Sequence, residues 1–148
     1  MEKSESANRD LAQYAAQTMS ECSDVMQRCP DLLPLFADMR LRLHGATAAK
    51  LLGLTNSSML RRQLISRRLP PFLLLSDWCF VVQFVDRFAT DDASLGRWAM
   101  HRGEYASVYY SFIERVTGML WSDLRRRGAV WVRQRALQMW RAHIETGE

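Results

Sequence analysis

The chain is poor in the residues that interrupt a regular backbone: 7 glycines and 4 prolines in 148 residues. So few turn-forming positions disfavour a many-stranded sandwich or barrel and favour helices. Lysine is nearly missing. Of 20 basic residues only Lys3 and Lys50 are lysine, which leaves 18 arginines. Arginine is the better side chain for two-pronged contacts with phosphates and base edges, although a GC-rich coding sequence produces the same bias. The cysteines, Cys22, Cys29 and Cys79, are odd in number and contain no C-x-x-C pair. That disfavours a disulfide framework or a zinc knuckle and fits a reducing compartment. Long apolar runs are missing too: Phe72 to Leu75 and Cys79 to Val82 fall far short of a membrane span, and MEKSESANRD has no apolar signal core. A soluble, cytoplasmic protein with no membrane partner is expected.

The usual parts of a catalyst are also missing. His44, His101 and His143 are scattered without a His-x-x-x-His spacing, and there is no glycine-rich phosphate loop, nucleophile elbow or carboxylate pair. The expectation is a protein that is not an enzyme and takes no metal or cofactor.

What is present is an ordinary globular composition, 48% hydrophobic and 24% charged, enough for one domain with a short appendage. The net charge of +4 conceals a change of sign along the chain. Residues 1–38 hold 3 basic and 7 acidic residues, whereas residues 39–148 hold 17 basic and 9 acidic. An acidic segment ahead of a basic body is expected when only the body meets a polyanion.

Apolar residues recur at helical spacing almost throughout, and no β alternation is visible. A first helix is predicted from about residue 6 to 28, stopped by Pro30, and a second from Asp31 to about Leu43, stopped at His44-Gly45. A short helix capped by Thr47 then runs to Leu52 and closes at Gly53. Thr55-Asn56-Ser57 caps another, which runs to about Ser66. Pro71 opens a long apolar helix to Phe88. Further helices are predicted at residues 94–102, 106–117, 122–127 and 129–144, with Trp98, Trp121, Trp131 and Trp140 in core or interface positions. The fold class is all-α.

The most informative pattern is a repeat. Ala49-x-x-x-Gly53 and Ala99-x-x-x-Gly103 lie fifty residues apart, and each closes a short helix that a second helix follows. A helix-turn-helix needs a small residue for close approach and a turn glycine for left-handed backbone. Any compact helical protein contains some glycine-joined helix pairs. Two in register, in the basic part of the chain, point to paired DNA-reading units. The 18 residues from Pro71 to Phe88 span roughly 27 Å as a helix, and successive major-groove faces lie roughly 34 Å apart. A rod of that length suits two units on one face of a duplex.

From about residue 32 to 128 the chain resembles the AraC/XylS-type DNA-binding domain, with two helix-turn-helix units joined by a long linker helix. In the second half the resemblance rests on Ser94-Leu95, Ala99, Gly103, Tyr109, Ile113, Thr117-Gly118, Trp121-Ser122 and Leu124-Arg125. In the first it rests on Ala49, Leu52-Gly53-Leu54-Thr55, Leu60, Arg62 and Leu64. The chain departs from the family at Glu104, where Phe is usual, and at Ser111, where Arg is common. The spacing from Gly103 to Tyr109 is one residue shorter than the family's, the first unit is one residue longer, and Trp121 or Ser122 replaces a proline.

Charge and helical spacing predict an acidic helical extension over residues 1–30, and the resemblance implies a DNA-binding domain over residues 31–148. Within it fall a first unit at about 46–67, a linker helix at 71–88, a second unit at 93–118 and a C-terminal helix at 129–145. It implies a bacterial or phage-borne, nucleoid-associated transcription regulator whose partner is double-stranded DNA. RNA polymerase or another regulator is a further expected partner, and the N-terminal helix is either a brace or a self-association element. Family members of full length carry a ligand-sensing β-domain, for which the residues ahead of the first unit are too few, so a stand-alone regulator is expected.

Setting aside Val108, Tyr109, Phe112, Ile113 and Val116 as the apolar face of the second reading helix leaves Ser107, Tyr110 and Ser111 to face bases. In the first reading helix Ser57, Ser58 and Arg61 are the base-reading candidates, with Arg61 expected on guanine. Phosphates are assigned to Arg62, Arg67, Arg68, Arg115, Arg125, Arg126 and Arg127, since clustered arginine follows both reading helices. Glu104 and Glu114 oppose this, because a carboxylate beside phosphates is repelled. They support a competing expectation: a helical protein-interaction module with an AraC-like fold and weak or no specific DNA binding.

Overall fold

The computed structural model describes residues 44–146 apart from residue 92, and among these every regular element is helical. The predicted helices at residues 6–28 and 31–43, with Cys22, Cys29 and the 1–30 extension, lie outside the described residues. Seven helices follow in order: α1 (Gly45–Leu51), α2 (Ser57–Ser66), α3 (Phe72–Phe88), α4 (Ala93–His101), α5 (Ala106–Thr117), α6 (Trp121–Arg127) and α7 (Ala129–Thr146). None is long and apolar enough to cross a membrane.

The centre of the fold is α3. Its buried positions, from Phe72 and Leu75 through Trp78 to Val85 and Phe88, lie on nearly every side, as expected of a helix apolar all round. Along it α7 runs antiparallel. Near one end Trp140 Nε1 donates to the Leu74 carbonyl at 3.2 Å, and near the other Arg133 pairs with Asp86 at 3.5 Å. Val132, Ala136 and Trp140 form the buried stripe of α7 at four-residue steps.

The flanking helices form two pairs, α1 with α2 and α4 with α5, packed within each pair. Each pair is joined by a turn with the same backbone hydrogen bonds. Gly53 N–H donates to the Lys50 carbonyl at 3.1 Å and Leu54 N–H to Ala49 at 2.8 Å. Fifty residues on, Gly103 N–H donates to Met100 at 2.9 Å and Glu104 N–H to Ala99 at 3.0 Å. This is the Schellman closure, which places one residue in left-handed backbone. Gly53 and Gly103 occupy it at φ 75 and 73. Ala49 and Ala99, at 1% and 0% exposed, let the partner helix close in.

Several boundaries differ from the sequence expectation. Thr47 does not cap α1. The helix begins at Gly45, with His44 as its extended N-cap, two residues ahead of the expected start. The reason is local: Ala48 N–H already bonds the His44 carbonyl at 3.0 Å, which closes the first helical turn ahead of Thr47. Asn56 caps α2 as expected, its Oδ1 accepting from Met59 N–H at 3.1 Å. α6 starts at Trp121 rather than Ser122. Val108, expected inside, is 39% exposed, because the buried stripe of α5 is centred on Tyr109, Phe112 and Ile113.

Candidate nucleic-acid interface

The outer face of α2 carries Ser57, Ser58, Arg61 and Arg62, all exposed, while Leu60 and Leu64 point into the core. Two arginines side by side, one turn into a capped helix, present guanidinium forks away from the protein. After α2 the chain turns through Arg67 and Arg68. Arg67 Nη2 donates to Gln63 Oε1 at 3.4 Å, which leaves Arg67 half-buried. Arg68 is exposed and stands at φ 57, where the other left-handed turn positions are glycines. Its N–H donates to Ile65 at 3.0 Å and Leu69 N–H to Leu64 at 2.8 Å, a third Schellman closure built on a residue that resists it. No glycine marks this turn in the sequence.

The outer face of α5 is different. Ser107 and Ser111 are exposed as expected, but Tyr110 is half-buried and stacked on Trp121 with ring centroids 6.4 Å apart. Arg115 is exposed with its guanidinium 5.4 Å from the Phe112 ring, and its charge opposes the burial that raises the Asp77 carboxyl. Tyr105, the N-cap of α5, is 82% exposed and Met100 77%. Neither was singled out as a surface group in the sequence, since an aromatic or a methionine at helix spacing ordinarily belongs to a core.

The arginines of α6 are not equivalent. Arg125 Nε donates to the Ala89 carbonyl at 2.9 Å and so ties α6 to the end of α3. Arg127 lies over the Trp131 ring at 5.1 Å. Arg126 pairs with Asp123 at 3.6 Å, but its side chain is 80% exposed, so solvent weakens that pair and leaves the guanidinium accessible. With Met119 and Asp123, Arg126 and Arg127 line an open cleft of about 350 Å³. Of the three, Arg126 best meets the requirement for an external anion.

Glu104 does not stand on the surface as a free charge. It is half-buried in the α4–α5 turn, its carboxylate accepts from the Tyr109 hydroxyl, and Oε2 is sealed from solvent. Burial first, then this hydrogen bond, push the Tyr109 hydroxyl up to about 12, with Arg102 pulling the other way. Arg102 also covers the Trp98 ring at 4.8 Å. The carboxylate thus faces inward. Glu114 remains exposed, near the C-terminal end of α5.

Among the described residues no group of three histidine, cysteine or acidic side chains is placed to hold a metal ion, and Cys79 is buried. No family model matches the chain, and neither a curated protein nor a solved structure matches it.

Proposed function

We propose that the chain is a double-stranded-DNA-binding transcription regulator with two helix-turn-helix units of the AraC/XylS kind, α1–α2 and α4–α5, spaced by α3. The observation that carries this is the duplicated turn: the same two backbone hydrogen bonds at Gly53 and Gly103, each with a buried alanine four residues earlier. Support also comes from length. The 17 residues of α3 span roughly 25 Å, compatible with reading heads in neighbouring turns of one duplex face. Arg61 on α2 reads a base edge, while Arg62, Arg68 and Arg126 meet phosphates.

The second function in contention is a protein-interaction module. It is favoured by the outer face of α5, whose first two turns carry no cation and whose last turn carries exposed Glu114. Arg61→Ala and Arg126→Ala separate the two. For a regulator, Arg61→Ala relaxes preference at one or two base pairs by about 1–3 kcal/mol, whereas Arg126→Ala weakens every sequence alike. Equal behaviour of the two variants overturns the division into base and phosphate contacts, and an absence of duplex binding favours the interaction module.

A further inference from the structure

Counted from the N-caps Asn56 and Tyr105, the two reading helices can be laid on one another residue by residue. Leu60 then matches Tyr109 and Leu64 matches Ile113, all buried. Met59 matches Val108, and these are exposed to nearly the same degree, 40% and 39%. Beyond that point the helices diverge. Arg61 and Arg62 on α2 correspond to Tyr110 and Ser111 on α5, and Tyr110 is drawn onto Trp121. The first two turns of α5 therefore offer no fork for guanine. They offer the two methyl groups of exposed Val108, flanking exposed Ser107 and Ser111, with Tyr105 one turn back where its carbonyl accepts from Val108 N–H at 3.1 Å.

Only one major-groove edge presents an apolar group, the C5-methyl of thymine, and apolar side chains are its matching contact. Recognition helices enter the groove with their N-terminal residues. Glu114 lies seven residues beyond Ser107, roughly 10 Å along the axis, which keeps its carboxylate away from the bases met by the first turns.

We propose that Val108 is a specificity-determining residue that contacts a thymine methyl, so that the site is bipartite, with guanine under α2 and a thymine-bearing step under α5. This rests on the DNA-binding function proposed above. The test uses the full chain and a duplex recovered by selection from random sequence. Each thymine is replaced in turn by uracil, which deletes the methyl and leaves the pairing edge intact, and affinity is read by fluorescence anisotropy. One or two positions in the half-site opposite the guanine are expected to lose about fourfold each, the value of one buried methyl group. Val108→Ala, a change on an exposed helix position, removes that sensitivity, while Arg61→Ala leaves it in place. Tight binding with no dependence on any thymine methyl overturns the inference and leaves DNA binding standing. Uracil sensitivity that persists undiminished in Val108→Ala also overturns it. Failure of the unaltered chain to bind duplex DNA overturns the proposed function itself.

Discussion

The two helix pairs share a turn and differ in what holds them. α4–α5 is clamped by an aromatic cluster that reaches across α3: Phe84 meets Trp98 at 6.1 Å, Tyr109 at 5.9 Å and Trp121 at 4.9 Å, and Trp98 meets Tyr109 at 4.9 Å. α1–α2 has no ring of its own and relies on Ala48, Ala49, Leu60 and Leu64. The first two turns differ in character on their outer faces, two exposed arginines on α2 against serines and a valine on α5, which holds its exposed charges, Glu114 and Arg115, in its last turn. A backbone frame can therefore recur while its anchoring and its outer-face chemistry differ between the two pairs. One pair is anchored by aromatic rings, with serines and a valine outside its first two turns; the other is packed on small and aliphatic side chains and carries two arginines outside.

The largest expected break in this comparison comes from the core. Phe84→Ala deletes the ring shared by Trp98, Tyr109 and Trp121 and is expected to cost about 4 kcal/mol, with loss of the near-ultraviolet dichroism of the cluster. Leu64→Ala is expected to cost about 3 kcal/mol. Its effect is confined to the first pair: amides of α1 and α2 exchange faster with solvent while the aromatic dichroism stays. If both variants lose the dichroism to the same extent, the two pairs are held as one unit and the contrast fails.

Smaller effects sharpen the likeness of the turns. Gly53→Ala and Gly103→Ala meet no atom within 4 Å, so only backbone strain opposes them, and each is expected to cost about 1 kcal/mol in denaturant unfolding. Unequal costs would mean that the turns are not equivalent. Arg68→Gly runs the other way. Relief of left-handed strain is expected to stabilise the fold by about 1 kcal/mol, while loss of the guanidinium is expected, on the proposed function, to weaken binding to all duplexes. A variant that is stabilised with unchanged DNA affinity removes Arg68 from the interface.

Much of the helical layout was legible because glycine and proline punctuate it. α5 begins and ends where Ala106 and the Thr117-Gly118 pair indicate; Thr117 Oγ1 donates to the Ile113 carbonyl at 2.7 Å and accepts from Met119 N–H at 3.1 Å. Other features were not legible, for physical reasons. Val108 is apolar and adjoins Tyr109, but a step of 100° around the helix takes it from the core to the surface. The Arg68 turn contains none of the residues that ordinarily mark left-handed backbone. The role of Arg125 depends on Ala89, 36 residues away, and no local pattern encodes such a contact. Glu104 reads as an exposed charge until the turn folds its carboxylate onto Tyr109.

The central claim is that the paired helices carry duplex DNA through cationic contacts outside the two turns. It is tested most directly by the affinity of the full chain for a selected duplex as salt is raised. Neutralisation of about three phosphates, by Arg62, Arg68 and Arg126, predicts a fall of about fortyfold between roughly 50 and 200 mM salt. Affinity that stays flat over that range, or a chain that binds no duplex at the lowest salt, would contradict it.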